Sequence, residues 1–298
     1  RSRHSAATEA VGYGKTMMGF HMLRRLMGDQ AFRQMLARFY REQRGRRASF
    51  GDLRSVAEAV SGKDLGRFFG DWIARPGAPA LAVSVSRVRR AADGFEITGL
   101  LEQTQGGAPF ALEVPVLVQT VKGPVARSLR TDAARAPFTL TVPDQPLVLH
   151  LDPYFDVFRR LDPRETAPSI GQIFGEPRIL AVLASAAPDQ ETRAYRALVE
   201  GWRSDSHAIE VRLDSEIRAL PPDRSVWLLG RANRLAPQAF PAGGPVRLAA
   251  AELSLEGERM PLAKHSVVLS ARHPGNLEKA VGWIFADPQA ALPGLGRK

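Results

Sequence analysis

The segment Gly12-Tyr13-Gly14-Lys15-Thr16 contains residue types that phosphate-binding loops use. A P-loop surrounds phosphates with backbone N–H groups and a Lys, and it needs a further Gly five residues before the Gly that precedes the Lys. Glu9 occupies that position, and no strand pattern precedes the segment. The sequence therefore argues against a P-loop at this point.

Other catalytic signatures are missing from the sequence. The six His stand at positions 4, 21, 150, 207, 265 and 273. None belongs to a His-Glu-x-x-His motif, and His265 and His273 flank a predicted strand, so we expect no metal site in this chain. There is no Cys, which excludes disulfides and thiol nucleophiles, and no Gly-x-Ser-x-Gly elbow.

Gly230 follows the apolar run Val226-Trp227-Leu228-Leu229 and precedes Arg231-Ala232-Asn233-Arg234. Open α/β sheets bind ligands in loops at the carboxyl ends of their strands. Tight turns also need Gly, and the sequence has no dinucleotide-binding fingerprint. A turn residue is therefore the favoured interpretation of Gly230.

Apolar residues in the first segment, residues 1–78, repeat at helical spacing. The four repeats are Met17, Phe20, Leu23 and Leu26/Met27; Phe32, Met35, Leu36 and Phe39; Leu53, Val56, Ala57 and Val60; and Leu65, Phe68, Phe69 and Trp72. Gly28 breaks the first repeat, and Asp29 is the predicted N-cap of the second helix. Ser49 with Asp52 predicts a capping box for the third.

The second segment, residues 79–167, changes to the alternation that is typical of strands. Strands are predicted around Leu81–Val85, Phe95–Gly99, Leu112–Val121, Phe138–Val142 and Leu147–Leu151, with turns at Ala92-Asp93-Gly94, Gly106-Gly107, Gly123-Pro124 and Pro143-Asp144. Short strands without a helical stretch predict an antiparallel β-sandwich. The stretch from Pro163 to Pro168 is predicted to be an exit linker.

The third segment, residues 168–298, alternates strands with helices. The predicted strands are Arg178–Ser185, Ile209–Leu213, Val226–Gly230 and His265–Ala271; one helix ends near Trp202, and a last helix runs from Pro274 to Phe285 on Leu277, Ala280, Val281 and Ile284. This order predicts a small α/β domain with a largely parallel sheet. The expected fold class is therefore multidomain α+β: helices, an antiparallel β-sandwich, then the α/β domain.

Five short motifs follow one another through the helical segment and lead into the strand at Leu81. They are Tyr13-x-Lys15, Gly28-Asp29-x-x-Phe32, Gly62-Lys63-Asp64-Leu65, Phe68-Phe69-x-x-Trp72 and Pro76-Gly77-x-Pro79. In this order they resemble the carboxyl-terminal part of the catalytic domain of the aminopeptidase N family of zinc metallopeptidases, the gluzincins. The resemblance covers about residues 10–160, and in that family a helical half-domain precedes a β-sandwich.

The resemblance implies a role for Tyr13, which stands where the family has its catalytic tyrosine. The phenol would donate a hydrogen bond to the oxygen of the scissile carbonyl as negative charge develops there. The family has its zinc ligands upstream of this tyrosine, so zinc, and a peptide substrate, are expected for a longer parent protein. The upstream part of that parent would be the partner of this chain, which alone is expected to be inactive. Thr16 departs from the family, which usually has Gly there.

A second hypothesis assigns the chain a non-enzymatic role. Residues 168–298 show no constellation of acid, base and nucleophile, so that domain would act as a binding or assembly module. The first hypothesis predicts an upstream His-Glu-x-x-His in the parent reading frame, whereas the second predicts a partner or ligand for the isolated α/β domain.

The net charge of +10 raises the possibility of nucleic-acid binding. The excess lies mainly in residues 1–78, which have 15 basic and 7 acidic residues, and much of it comes from Arg33, Arg38, Arg41, Arg44, Arg46 and Arg47. No nucleic-acid recognition motif accompanies them, so we expect no nucleic-acid partner. These arginines form either a solvated face or a surface that contacted acidic groups of a neighbouring segment. No apolar run has the roughly 18–20 residues of a membrane-spanning helix.

Overall fold

The computed structural model describes residues 10–204, 208–244, 246–249, 251–255, 257–263, 265–286 and 291–295. His4 and His207, which the sequence analysis considered, lie outside these residues. The chain divides into two compact units, Arg1–Leu161 and Asp162–Lys298. The helical segment and the β-sandwich share the first unit, and the domain boundaries at residues 78 and 167 stay predictions.

The helical part of the first unit follows the apolar repeats. A π-helical turn, Ala10–Lys15, leads into α1 (Thr16–Met27), α2 (Asp29–Gln43), α3 (Phe50–Ser61) and α4 (Gly66–Phe69), and a second π-helical turn, Gly70–Ala74, continues α4. Their apolar faces form one core of Leu23, Met35, Leu53, Val56, Ala57, Leu65 and Phe69. The four predicted helices are confirmed.

The helix ends confirm one of the two predicted caps. Asp52 donates its backbone N–H to Ser49 Oγ, and its carboxylate accepts from the Ser49 N–H, which completes the capping box of α3. The predicted N-cap at Asp29 is wrong, because the N-cap of α2 is Gly28 at φ 84°. The Asp29 carboxylate instead accepts from Arg24 Nε at 2.7 Å, so it is used in an ion pair and not at the helix end.

The β-sandwich consists of two three-stranded antiparallel sheets, as predicted. The strands are β1 (Leu81–Ala91), β2 (Gly94–Gln103), β3 (Leu112–Thr120), β4 (Gly123–Thr131), β5 (Arg135–Val142) and β6 (Pro146–Leu151), in the orders β1-β2-β5 and β4-β3-β6. Buried residues of both sheets, among them Ile97, Val116 and Leu140, form one core. Strand β4 has no predicted counterpart, because Gly123–Thr131 lacks a regular alternation of apolar and polar residues.

The second unit has a five-stranded sheet that is largely parallel, as predicted. Its strands are β7 (Arg178–Leu183), β8 (Ala208–Leu213), β9 (Ser225–Leu229), β13 (Ser266–His273) and β14 (Asn276–Ala286). They lie in the order β13-β14-β9-β7-β8, and only the β13–β14 pair is antiparallel. The helices are α5 (Ile170–Phe174), α6 (Asp189–Glu200), α7 (Ala236–Ala239) and α8 (Leu292–Leu295), and β10 (Val246–Leu248), β11 (Glu252–Leu255) and β12 (Glu258–Pro261) form a small separate sheet. Alternate residues of β7 enter two cores, so this interior strand is buried on both faces.

The predicted last helix, Pro274–Phe285, is wrong, because these residues form most of β14. Their apolar spacing fits a helix, but a strand buried on both faces also lacks a simple alternation. Val281, Trp283 and Phe285 face one core, while Ala280 and Ile284 face the other. Pairing with β9 and β13 decides the conformation.

Within the residues that the structure describes, no helix combines the length and the apolar character needed to cross a membrane.

Candidate functional site

Tyr13 lies in the π-helical turn that precedes α1 and is 79% exposed. Within the described part of the chain, no group forms a hydrogen bond with its hydroxyl. The phenol is therefore presented at the surface of the helical layer, where a group outside the described residues has access to it.

Lys15 joins the Tyr13 turn to the loop that enters the sandwich. Its Nζ donates to the carbonyl oxygen of Arg75 at 2.7 Å and to that of Gly77 at 3.5 Å. Burial and the positive charge of Arg75 lower the pKa of Lys15. This contact joins the Tyr13-x-Lys15 motif directly to the Pro76-Gly77-x-Pro79 motif, about 60 residues later in the sequence.

The Gly62-Lys63-Asp64-Leu65 motif links three helices. Gly62, at φ 67°, ends α3 in the left-handed conformation that Gly adopts without strain. Lys63 Nζ donates to the Leu26 carbonyl at the end of α1 at 2.5 Å. Asp64 accepts the N–H of Gly66 at the start of α4, and Leu65 is buried in the helical core.

The Phe68-Phe69-x-x-Trp72 motif connects the helices to the sandwich. Phe69 belongs to the helical core, whereas Trp72 belongs to the sandwich core and stacks on Phe110 at 5.1 Å between ring centroids. The Arg75 guanidinium also lies over the Phe110 ring, with its Cζ atom 3.7 Å from the ring centroid. The motif therefore fixes the orientation of α4 on the sandwich.

The Gly28-Asp29-x-x-Phe32 motif turns the chain between α1 and α2. Gly28 accommodates the positive φ of the turn, and Phe32 meets Phe20 of α1 edge to face at 6.4 Å. The five motifs, which are separate in the sequence, thus stabilise one scaffold that carries Tyr13. This scaffold is the candidate site.

The imidazoles are dispersed in the described part of the chain, which contains no group of three His, Cys, Asp or Glu able to hold a metal ion. His21 instead bonds Asp156 at 2.8 Å, and Arg25 bonds the same carboxylate at 3.0 Å. Sequence patterns do not reveal this trio, since 135 residues separate His21 from Asp156. It ties α1 to the segment that follows the sandwich.

A buried ion pair lies close to that partly exposed trio. Asp152 and Arg159 contact each other at 2.9 Å, and both side chains are almost completely buried. Burial raises the pKa of Asp152, although the Arg159 guanidinium and backbone N–H groups oppose that change. Asp152 also adopts φ 46°, so this turn depends on its carboxylate contacts.

In the second unit, Asp214 joins the loops at the carboxyl ends of β7 and β9. It accepts the backbone N–H groups of Ser185 and Arg234, both at 2.9 Å. Burial opposes its ionisation, but these hydrogen bonds prevail and lower its pKa. Gly230 adopts φ 90° and accepts from Trp283 Nε1, which supports its interpretation as a turn residue.

The six arginines between Arg33 and Arg47 were expected either to form a solvated face or to have met acidic groups of a neighbouring segment, and both alternatives stay open. Arg33 and Arg38 have partners within their own helix, Asp29 at 3.9 Å and Glu42 at 2.7 Å. Arg41 is exposed on the same helix.

Comparison with known proteins gives partial matches to aminopeptidases. No family model matches the chain. It is similar to leucyl aminopeptidase of Saccharolobus solfataricus, with 29% identity over 106 residues, which are 35% of this chain and 14% of that protein. It is also similar to aminopeptidase N of Lactococcus lactis subsp. lactis, with 33% identity over 76 residues, 26% of this chain and 9% of that protein.

A crystal structure of Legionella pneumophila aminopeptidase A in complex with aspartic acid aligns with a TM-score of 0.42 and 19% identity, over 52% of this chain and 19% of that chain. That TM-score is too low to support an inference. From the two sequence matches, the chain contains an aminopeptidase-related region, and it spans only a small fraction of the length of these relatives.

Proposed function

We propose that residues 10–160 are the carboxyl-terminal part of the catalytic region of a zinc aminopeptidase of the aminopeptidase N family. In this proposal, zinc is held by an upstream part of the same parent protein, which hydrolyses peptides. Tyr13 contributes the only catalytic side chain of this segment, and the chain alone does not hydrolyse peptides.

The scaffold around Tyr13 is the observation that carries the proposal. Two of the five motifs join the helices to one another, and the other three connect the helices to the sandwich and its entry loop. Lys15, two residues from Tyr13, is held by two carbonyl groups of that loop. A tyrosine with a purely structural role at the start of a helix would not need an exposed hydroxyl group there. The partial similarity to two aminopeptidases supports the same conclusion.

The chemistry assigned to Tyr13 is hydrogen-bond donation to a developing oxyanion. Zinc, when bound by the parent, supplies activation of water and polarisation of the carbonyl. Tyr13 places a neutral O–H donor beside the same carbonyl, and this donor strengthens as negative charge grows on the oxygen. The contact of Lys15 with the 75–77 loop restricts the position of the turn, which preorganises that donor.

The test uses the longer reading frame that encodes this chain, expressed with zinc and assayed with an aminoacyl p-nitroanilide. Tyr13→Phe removes the hydroxyl and keeps the ring. We expect kcat to fall about a hundredfold or more, with KM little changed, because the lost interaction forms in the transition state. Tyr40→Phe is the matched control, since Tyr40 is an exposed tyrosine on α2.

Two results would contradict the proposal. One is a parent that lacks zinc-dependent peptidase activity, and the other is a Tyr13→Phe variant with the kcat of the unchanged parent. For the 298-residue chain alone, we expect no turnover above background with added zinc. Turnover that disappears in Tyr13→Phe would overturn the assignment of the remaining catalytic groups to an upstream part.

A further inference from the structure

A cleft of about 650 Å³ lies in the first unit where the loop between α4 and β1 meets the segment that follows β2. Its size falls within the roughly 300–1,000 Å³ of small-molecule sites. Lys15, Arg75 and Arg160 line it together with Gln105 and Phe158. Gln105, Phe158 and Arg160 do not belong to any of the five motifs.

The charge of the cleft has one sign. Three cationic side chains line it, and no carboxylate is among its lining residues. The nearest acidic contact is that of Arg75 with Asp71 at 3.6 Å, outside the lining. Three positive charges around one concave surface favour an anion, because the low-dielectric walls weaken screening by water.

Two of the cations retain unused hydrogen-bond donors. The Lys15 ammonium has three donors, of which the Arg75 and Gly77 carbonyls take two. The Arg160 side chain is exposed and has no hydrogen bond or ion pair to another described residue, whereas its backbone N–H is bound to the Pro79 carbonyl. The Arg160 guanidinium can therefore present its planar set of donors to a ligand.

Apolar groups and bare backbone form the rest of the cleft. Pro76 and Phe158 supply flat apolar surface. Gly77 and Gly106, at φ 84° and 76°, have no atom within 4 Å of the position a Cβ would occupy, so the walls are open at both points. A ligand with a flat apolar part can thus lie against the wall while its charged end contacts the cations.

A second cleft, between α1 and the β3–β4 pair, differs in charge. Four cations line it, Arg25, Lys63, Arg127 and Arg130, and two of them form ion pairs with carboxylates of the same lining, Arg25 with Asp156 at 3.0 Å and Arg130 with Glu113 at 3.1 Å. The cleft at Arg160 differs from it because no carboxylate belongs to its lining.

We propose that the Lys15–Arg75–Arg160 cleft binds a small anionic ligand, a carboxylate or phosphate attached to a flat apolar group. Arg160 and Lys15 bind the anionic end, and Phe158 with Pro76 contacts the apolar part. The burial and like charge that lower the pKa of Lys15 agree with this, because a bound anion would offset both effects. The inference rests on this cleft alone and is independent of the catalytic role of Tyr13.

The test titrates the 298-residue chain with phenyl phosphate, with benzoate and with the neutral control phenol, followed by calorimetry. We expect saturable binding of at least one of the two anions below about 10 mM, weakening with added salt, and no saturation with phenol. The anion that binds more tightly identifies the headgroup.

Arg160→Gln should weaken binding of that anion about tenfold or more, the effect of removing one charged hydrogen bond. Arg90→Gln is the matched control, because Arg90 is exposed on β1, outside the cleft, and its loss changes the net charge equally. It should bind as the unchanged chain does. Thermal unfolding of both variants verifies that they are folded.

The proposal is overturned if neither anion saturates, if phenol binds as tightly as the anions, or if both variants lose affinity equally. The Arg160 measurements need no peptidase activity. A failure here therefore leaves the Tyr13 assignment untouched, and a failure of the Tyr13 assignment leaves this binding result valid.

Discussion

Replacing Gly282 with Ala tests whether residues 276–286 form a strand or the helix that their spacing predicts. In the structure, a Cβ at Gly282 would lie 2.1 Å from Cζ3 and 2.2 Å from Cε3 of Trp227 on the paired strand β9. Carbon atoms in contact normally lie about 3.5–4.0 Å apart. The added methyl group therefore overlaps the indole ring directly.

The Trp227 ring has little room to move away from that methyl group. It is 1% exposed and packs against Phe174 and Trp202 at 5.4 and 5.5 Å between centroids. Overpacking a core typically costs about 1–3 kcal/mol, and an overlap of this size with a buried ring should reach about 3 kcal/mol. In a helix, the same change would stabilise by about 1 kcal/mol. The two conformations thus predict opposite signs.

Urea unfolding followed by tryptophan fluorescence measures this difference, because three of the four Trp residues, Trp202, Trp227 and Trp283, belong to the second unit. Gly171→Ala on α5 is the control. Its new Cβ would meet only Ser169 Oγ at 3.8 Å, an ordinary contact, so its stability should be unchanged or slightly higher. A Gly282→Ala chain at least as stable as the unchanged protein would refute the strand packing.

The remaining predictions concern His273 and Lys15. The Nδ1 atom of His273 accepts the N–H of Gly275 at 3.0 Å, and burial lowers the pKa of this histidine. Below about pH 6.5 the unfolded state therefore binds the proton more readily than the folded state does. The free energy of unfolding should fall as the pH decreases through this range. His273→Asn, which keeps an acceptor without titrating, should flatten the urea midpoint measured between about pH 5 and 8, and an equal slope in both proteins would contradict this cause. Lys15→Met removes the ammonium that the Arg75 and Gly77 carbonyls accept from, and should lower the free energy of unfolding of the first unit by about 1–2 kcal/mol; an unchanged melting temperature would show that these contacts contribute nothing.

The sequence predicted best where one local pattern suffices. The four helices of the first segment each bury a stripe of apolar residues, and the Ser49–Asp52 capping box needs only four consecutive residues. Strand β3 alternates clearly in the sequence, and so does the start of β1 although most of β1 is exposed, whereas β4 lacks such an alternation. Local patterns reveal an element when its apolar residues are regularly spaced, whether or not the whole element is buried.

The predictions differ from the structure where another side chain competes for a group or where distant strands decide a conformation. Asp29 was predicted as an N-cap, but the Arg24 guanidinium occupies its carboxylate. The residues of β14 were predicted as a helix, but strands on both sides pair with them, and the Gly282 position accommodates the Trp227 ring. The Asp29 outcome depends on a local competition, because Arg24 is only five residues away. The β14 outcome does not follow from the neighbouring sequence, because it depends on strands that folding brings together.

Local patterns in the sequence are enough to predict the five motifs in their order, the change from helical to strand period at residue 79 and the largely parallel last sheet. The folded structure adds that Lys15 binds the 75–77 loop, that Tyr13 is exposed, and that Arg160 lines the same cleft as Lys15. Helical and strand periods arise from contacts within a few residues, so they are present in the chain before it folds. The contacts of Lys15 with Arg75 and of His21 with Asp156 join residues 60 and 135 positions apart, and they exist only once the helices pack on the sandwich.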